Sequence, residues 1–118
     1  MKESVLHEKA LQFAADIVKF YENFLLLKKD NTIAKQLIRS ATSIGANLNE
    51  ATYGNSKADF ISKLHIALKE CSESLYWLRL IERVGYGIEK LDMLIKECEE
   101  IKALLIKSIN TAKSNGCI

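Results

Sequence analysis

The chain contains no proline among its 118 residues and only five glycines. Because proline removes a backbone donor and clashes with the preceding helical turn, its absence leaves long helices without a local barrier. No apolar run approaches the length of a membrane span, and the first twelve residues lack an apolar stretch with a cleavage site. We therefore expect a soluble, cytoplasmic protein without a signal peptide.

Cysteine is also scarce, with Cys71, Cys98 and Cys117 as its only instances. An odd number at wide spacing matches neither a disulfide framework nor a metal-ligand pattern. Cys71 and Cys98 fall on apolar helical positions, which predicts packing in a core. Cys117 lies in a polar tail and is predicted to be a free thiol, as in a reducing compartment.

Charge of one sign is not concentrated anywhere in the chain. The 17 basic and 15 acidic residues leave a formal charge of +2, and no block of five like charges occurs. A protein that binds nucleic acid without regard to sequence normally carries a clustered basic surface. The monomer lacks one, although an oligomer would multiply its small basic excess.

What the sequence does contain is helical periodicity in four stretches. The first is predicted to begin near Ser4, and the second to run from about residue 31 to Tyr53. The third begins at a capping pair, Ser56 and Asp59, and the fourth frays from Ser114. Short connections make neighbouring helices antiparallel. We predict one domain, 1–118, that is all-α: an antiparallel up-down-up-down four-helix bundle.

Each stretch has an apolar seam at alternating steps of three and four residues. Around Gly45 the second helix is rich in small residues, which predicts a close approach by a neighbouring helix. The third helix has three apolar stripes, more than one bundle core can absorb, and this predicts self-association into a symmetric oligomer. The residues predicted to pack between copies are Leu68, Leu75, Tyr76, Trp77 and Leu80.

No enzyme signature is present. A di-metal bundle requires Glu-x-x-His pairs, and neither His7 nor His65 follows a glutamate at that spacing. No nucleophile elbow surrounds a serine or cysteine, and no glycine-rich phosphate loop occurs. The sequence predicts a non-enzymatic protein without a metal, a cofactor or a small-molecule substrate.

The most informative polar feature is a line of side chains beside the seams of the second and third helices. Its members are Arg39, Ser40, Ser43, Asn47 and Glu50, then Lys63, Lys69, Glu70 and Glu73. Unpaired polar groups near a seam cost on the order of 1–3 kcal/mol each, so mutual pairing that sets helix register is one interpretation. Ligand binding is the other. For Lys28, Lys29, Lys35 and Arg39 the alternatives are a basic nucleic-acid contact surface and charged side chains that are only solvated.

The segment 36–87 carries a specific set of residues at fixed spacing. They are Arg39, Ser40, Ser43, Ile44, Asn47, Glu50, Ala51, Ser56, Asp59, Phe60, Ala67, Lys69, Glu70, Glu73, Tyr76, Leu78, Gly85 and Tyr86. With this set the segment, nearly half of the chain, resembles the bacterial four-helix bundle proteins encoded within intervening sequences of 23S ribosomal RNA genes, which carry a ribosomal-protein-like label. The segment departs from the family at Leu48 and Asn49, where the family more often has Ile-Ala, and we expect this departure to lie on the helix surface.

This resemblance implies a fold similar to the accessory variability protein of diversity-generating retroelements. That protein is a pentameric barrel that binds a reverse transcriptase and nucleic acid. By analogy we expect a homopentamer whose partner is RNA or a reverse-transcriptase-like protein. The alternative is a protein-interaction scaffold without a nucleic-acid role.

Overall fold

The computed structural model describes the backbone of residues 2–27 and 32–116, and the side chains of residues 5–24 and 32–114. In this part of the chain the regular elements are four helices and there is no strand, which confirms the all-α prediction of four helices. The helices are α1 Lys2–Leu27, α2 Thr32–Thr52, α3 Lys57–Val84 and α4 Leu91–Gly116. None of these helices is long and apolar enough to cross a membrane.

Two predicted helix ends are wrong. The first helix begins at Lys2, so Ser4 lies within it, and α4 continues past Ser114 to Gly116. Lysine and glutamate are good helix formers, so the residues before Ser4 extend the helix despite the preference of serine for a cap. At the other end, no proline stops α4.

The ends of α3 agree with the sequence pattern. Ser56 has extended backbone angles, and its Oγ accepts a hydrogen bond of 3.0 Å from the Asp59 N–H. The Asp59 carboxylate in turn accepts a bond from the Asn55 N–H at 3.3 Å. Gly85 ends the helix at a φ of +80°, and its N–H bonds the carbonyls of Ile81 and Glu82. Glycine adopts this left-handed conformation without a Cβ penalty.

The helices pack around a common core in which α1 contacts α2 and α4, and α3 contacts the same two helices. Within the described ranges α1 and α3 do not touch, so they occupy diagonal corners of the bundle. Side-chain hydrogen bonds link neighbouring helices at three places. His7 of α1 bonds Thr52 of α2, while Arg39 and Glu50 of α2 bond Glu73 and Lys63 of α3.

The predicted seams form the core almost residue for residue. The predicted seam of α3 is Phe60, Leu64, Ala67, Cys71, Ser74, Leu78 and Ile81, and of these only Phe60 stays half-buried. Leu48, a member of the predicted apolar stripe of α2, is fully buried, so the departure from the family at this residue lies in the core and not on the helix surface. The largest fully buried side chains are Phe13, Phe24, Leu6, Ile17, Leu37, Ile44, Leu48, Leu64, Leu78, Ile81, Leu94 and Ile101.

Gly45 does face a neighbouring helix closely, but this position does not require glycine. A Cβ placed on Gly45 would lie 3.8 Å from the Ala10 Cβ of α1. This is an ordinary van der Waals separation, so the packing of α1 on α2 leaves room for alanine. Glycine within a helix is unfavourable, and a close backbone contact is not the reason that α2 carries one at this position.

Candidate functional site

The predicted polar line is centred on Arg39, which lies on α2 and faces two carboxylates of α3. Its Nη2 donates to the Glu73 Oε2 at 2.5 Å, and its Nη1 lies 3.7 Å from the Glu70 Oε1. The Trp77 Nε1 donates to the same Glu73 oxygen at 3.1 Å. The Trp77 N–H, followed by the Arg39 guanidinium, lowers the pKa of the Glu73 carboxyl. Arg39 therefore joins α2 to α3 through charge-assisted contacts.

Behind this surface a pair of serines is completely buried between α2 and α3. The Ser40 and Ser74 Oγ atoms lie 2.8 Å apart, and neither residue is exposed to solvent. The Ser40 hydroxyl bonds the Leu37 carbonyl oxygen and the Ser74 hydroxyl bonds that of Glu70, both within their own helices. Both hydroxyls thus have the partners that buried polar groups need.

A second ion pair joins the far end of α2 to the beginning of α3. The Lys63 Nζ donates to the Glu50 Oε1 at 2.8 Å. The hydrogen bond to Glu50, followed by its charge, raises the pKa of the Lys63 ammonium. Together with Arg39, this pair lies along one face of the bundle at the α2–α3 seam.

Other members of the line have local partners. The Ser43 hydroxyl bonds the Arg39 carbonyl oxygen, and the Asn47 side-chain amide bonds the Ser43 carbonyl oxygen, both at 2.8 Å. Asp59 belongs to the cap of α3. Lys69 is exposed and acts on Glu73 through its charge. The line is therefore a set of short-range bonds, with Arg39 and Glu50 as its two ionic links between helices.

The predicted basic surface is only partly described. Lys35 is exposed on α2, whereas Arg39 is engaged with two glutamates. Lys28 and Lys29 lie outside the described residues, as does Cys117.

The predicted packing residues of α3 differ in their exposure. Leu68, Leu75 and Trp77 pack against the edge of the core, and Leu80 is half-buried. Tyr76 is 61% exposed and meets the Trp77 ring edge-on, with centroids 5.2 Å apart.

Among the described residues nine further large apolar side chains are exposed, and four of them extend apolar stripes of α1 and α3. The nine are Val5, Leu11, Val18, Tyr53, Ile66, Val84, Tyr86, Met93 and Ile106. Ile66 and Val84 extend the outer face of α3, and Leu11 and Val18 lie on α1. The sequence pattern places Leu11 and Val18, which are seven residues apart and share one helix face, in a stripe beside the seam of α1, and Val84 in the third stripe of α3. It assigns no stripe to Ile66.

Glu97 stands among charged residues of α4, namely Lys96, Glu99 and Glu100, a pattern typical of a solvated helix face. It is half-buried against α1, and its Oε1 is buried and accepts no hydrogen bond within the described residues. Burial, followed by the nearby Asp16 carboxyl and the Glu100 charge, raises the pKa of Glu97 to about 7, against a smaller opposite effect of Lys9. A protonated Glu97 carboxyl can donate a hydrogen bond to the Asp16 carboxylate.

This pair predicts that stability falls as the pH rises. The ordinary pKa of Glu97, 4.5, lies below its value of about 7 in the fold. Between these two pKa values the native state binds more protons than the unfolded state. The stability that Glu97 contributes is therefore complete below pH 4.5 and is lost as the pH rises through 7. We expect the melting temperature to decrease across the window, as measured by circular dichroism.

The Glu97→Gln variant keeps a donor for Asp16 without titrating, so its melting temperature should change less across the same window. Glu22→Gln, at an exposed position of α1, is the matched control. Equal slopes for Glu97→Gln and the unchanged chain would contradict the assignment.

No group of three or more potential metal ligands occurs among the described side chains. His7 bonds the Leu48 carbonyl oxygen at 3.1 Å and the Thr52 Oγ1 at 3.0 Å, so it ties α1 to α2. A cleft of about 600 Å³ lies between α1 and the beginning of α4, where its walls carry charges of both signs, including Asp16 and Lys19.

Comparisons with known proteins give a family but no activity. A search of curated proteins found no match. The chain is similar to a crystal structure of a protein with unknown function from the S23 ribosomal protein family of Bacteroides thetaiotaomicron VPI-5482. The two are 43% identical with a TM-score of 0.89, over 93% of this chain and 99% of the other. The profile of the 23S rRNA-intervening sequence proteins matches residues 2–107. The chain therefore belongs to the 23S rRNA-intervening sequence protein family.

Proposed function

We propose that the chain is a non-enzymatic bundle protein that assembles into a homopentameric ring and engages RNA or an RNA–protein assembly. The observation that carries the assembly is the presence of two exposed apolar stripes on diagonal helices. RNA engagement rests on the charge that such an assembly accumulates and on the family resemblance.

The helix directions that we propose for each copy are up, down, up and down. His7, near the beginning of α1, meets Thr52 at the end of α2. Glu50, near the end of α2, meets Lys63 in the first part of α3. Pairs of this kind join late residues of one helix to early residues of its neighbour, as expected for an antiparallel arrangement with short connections.

The first stripe runs along the outer face of α3. At 3.6 residues per turn, its members fall within an arc of roughly 100°. They are Ile66, Tyr76, Trp77, Leu80 and Val84, of which Trp77 and Leu80 are half-buried. The second stripe consists of Leu11 and Val18 on α1, and Leu11 is 66% exposed.

Because α1 and α3 occupy diagonal corners, the two stripes point to different sides of one copy. A contact between the α3 stripe of one copy and the α1 stripe of the next uses two different surfaces. Contacts of this head-to-tail type generate a closed ring when the rotation between copies divides a full turn. The number five follows from the resemblance to pentameric barrels.

A pentamer concentrates charge that a single copy lacks. Five copies at +2 each carry a formal +10. A ring of this charge attracts polyanions, and its affinity must fall as salt rises because bound counterions are released from the nucleic acid.

The test is the binding of a fluorescent structured RNA hairpin by anisotropy between 50 and 200 mM salt. When the logarithm of affinity is plotted against the logarithm of salt concentration, we expect a straight line. Its slope should be roughly −0.7 to −0.9 for each phosphate neutralised. Changing Lys28, Lys29 and Lys35 to glutamine should weaken binding and reduce the slope. The matched control changes three other lysines to glutamine: Lys57, Lys96 and Lys107, all exposed.

Absence of binding at 50 mM salt, or binding without a salt slope, would refute the RNA proposal. Equal losses in the two lysine variants would refute the assigned surface. A protein-interaction scaffold is the second candidate, favoured because Arg39 is already occupied by glutamates whereas Tyr76 is exposed. It predicts no response to RNA and a copurifying protein partner that Tyr76→Ala releases.

A further inference from the structure

Two thiols from different helices meet in the core between α3 and α4. Cys71 and Cys98 are both 0% exposed, and their Sγ atoms lie 3.8 Å apart. Each Sγ also lies 3.4 Å from the backbone carbonyl oxygen of the other cysteine. The side chains are thus turned toward one another, 27 residues apart in the sequence.

We propose that Cys71 and Cys98 form an oxidation site, where a small hydroperoxide produces a disulfide that joins α3 to α4. A disulfide requires the sulfurs to approach to about 2.0 Å. Starting from 3.8 Å, each sulfur needs to move by roughly 0.9 Å to reach that bond length. Small side-chain rotations can supply such a displacement, so the backbones of the two helices need not move.

The reaction has two balanced steps. The Cys71 thiolate attacks one oxygen of hydrogen peroxide, so an S–O bond forms, the O–O bond breaks, and hydroxide leaves and takes a proton to become water. The Cys98 sulfur then attacks the sulfur of this sulfenic acid and loses its own proton. The S–S bond forms, the S–O bond breaks, and a second water leaves. Two thiols lose two electrons, which reduce the peroxide to two waters.

The two thiols influence each other's ionisation. The hydrogen bond from Cys98 lowers the pKa of the Cys71 thiol, and the Lys102 charge lowers it further, while burial acts in the opposite direction. For Cys98, the bond to Cys71 and burial raise the pKa of the thiol, as does the charge of Glu99. The thiolate is the reactive form, so these directions favour attack from Cys71, and attack from Cys98 would give the same disulfide.

The test treats the folded full chain with hydrogen peroxide, alkylates remaining thiols and digests with trypsin. Lysines and arginines place the three cysteines in separate peptides, which are 70–79, 97–102 and 114–118. We expect a peptide that links Cys71 to Cys98 and is two hydrogens lighter than its parts. Cys117→Ser should give the same link, whereas Cys71→Ala and Cys98→Ala should each remove it.

A second readout asks whether the bond forms within the native fold. In the Cys117→Ser chain, oxidation should raise the melting temperature by roughly 5–15 °C, since the cross-link restricts the unfolded state, and a reductant should reverse the change. The Cys71→Ala, Cys117→Ser chain should show no rise.

Three outcomes would overturn the proposal. In the first, Cys71 and Cys98 remain alkylatable after peroxide treatment. In the second, they link to Cys117 as often as to each other. In the third, they join only in denaturant. None of these depends on RNA binding or on assembly, so the site stands or falls independently of the proposed function.

Discussion

Replacing Tyr76 with glutamate is expected to convert the proposed ring into single chains of 13.3 kDa. Tyr76 lies in the middle of the α3 stripe and is largely exposed in one copy. A charge at this position would be buried against an apolar stripe of the next copy without a partner, which is strongly unfavourable. Leu11→Glu should have the same effect from the other side of the contact. Light scattering at high protein concentration measures the mass.

Mixing the two variants distinguishes a ring from a symmetric dimer. Each variant keeps one intact stripe, so one copy of each can join through the remaining good contact and form a mixed dimer. A two-fold contact uses the same surface on both partners, and mixing could not restore it. Tyr53→Glu, at an exposed tyrosine that belongs to neither stripe, is the control and should retain the assembly. A well-folded monomer in the unchanged chain would refute the ring.

Ser40→Leu is expected to reduce the free energy of unfolding by about 1–3 kcal/mol, since extra methylenes overpack a closed core. Ser40 is completely buried, and its Oγ lies 2.8 Å from the Ser74 Oγ of the facing helix. For a chain of this size, the melting temperature should fall by roughly 4–12 °C. Urea unfolding followed by circular dichroism measures the free energy.

Two controls separate volume from polarity at this site. Ser40→Ala removes the hydroxyl but adds no volume, and the Ser74 hydroxyl keeps its bond to the Glu70 carbonyl oxygen. This variant should therefore lose less free energy of unfolding than Ser40→Leu. Thr42→Leu adds apolar volume at an exposed position of the same helix and should stay within about 0.5 kcal/mol. If Ser40→Leu is as stable as Ser40→Ala, the interhelical space is not closely packed.

The sequence was a good guide wherever structure depends on neighbours along the chain. Apolar residues at steps of three and four predicted which side of each helix is buried, and nearly all of those positions are buried. The Ser56 and Asp59 pair and Gly85 predicted the two ends of α3, because caps and left-handed turns involve residues only a few positions apart. The predicted start of α1 was wrong because a serine can also lie inside a helix.

The candidate site was less predictable, because its members are brought together by the rotation and register of separate helices. Spacing placed Arg39 and Glu73 beside their seams, but the contact between them depends on how α2 and α3 align. Glu97 illustrates the limit: its neighbours along α4 are charged, so local composition suggested solvent, whereas the approach of α1 and Asp16 encloses it.

Local periodicity along the 118 residues was therefore enough to predict four helices, their buried faces and the caps of α3. Tertiary packing decided that Cys71 meets Cys98, that Asp16 faces Glu97, and that the exposed stripes lie on diagonal helices. The physical reason is range. Hydrophobic periodicity and capping act within one or two turns, while contacts between helices depend on a relative rotation and shift that no single helix encodes.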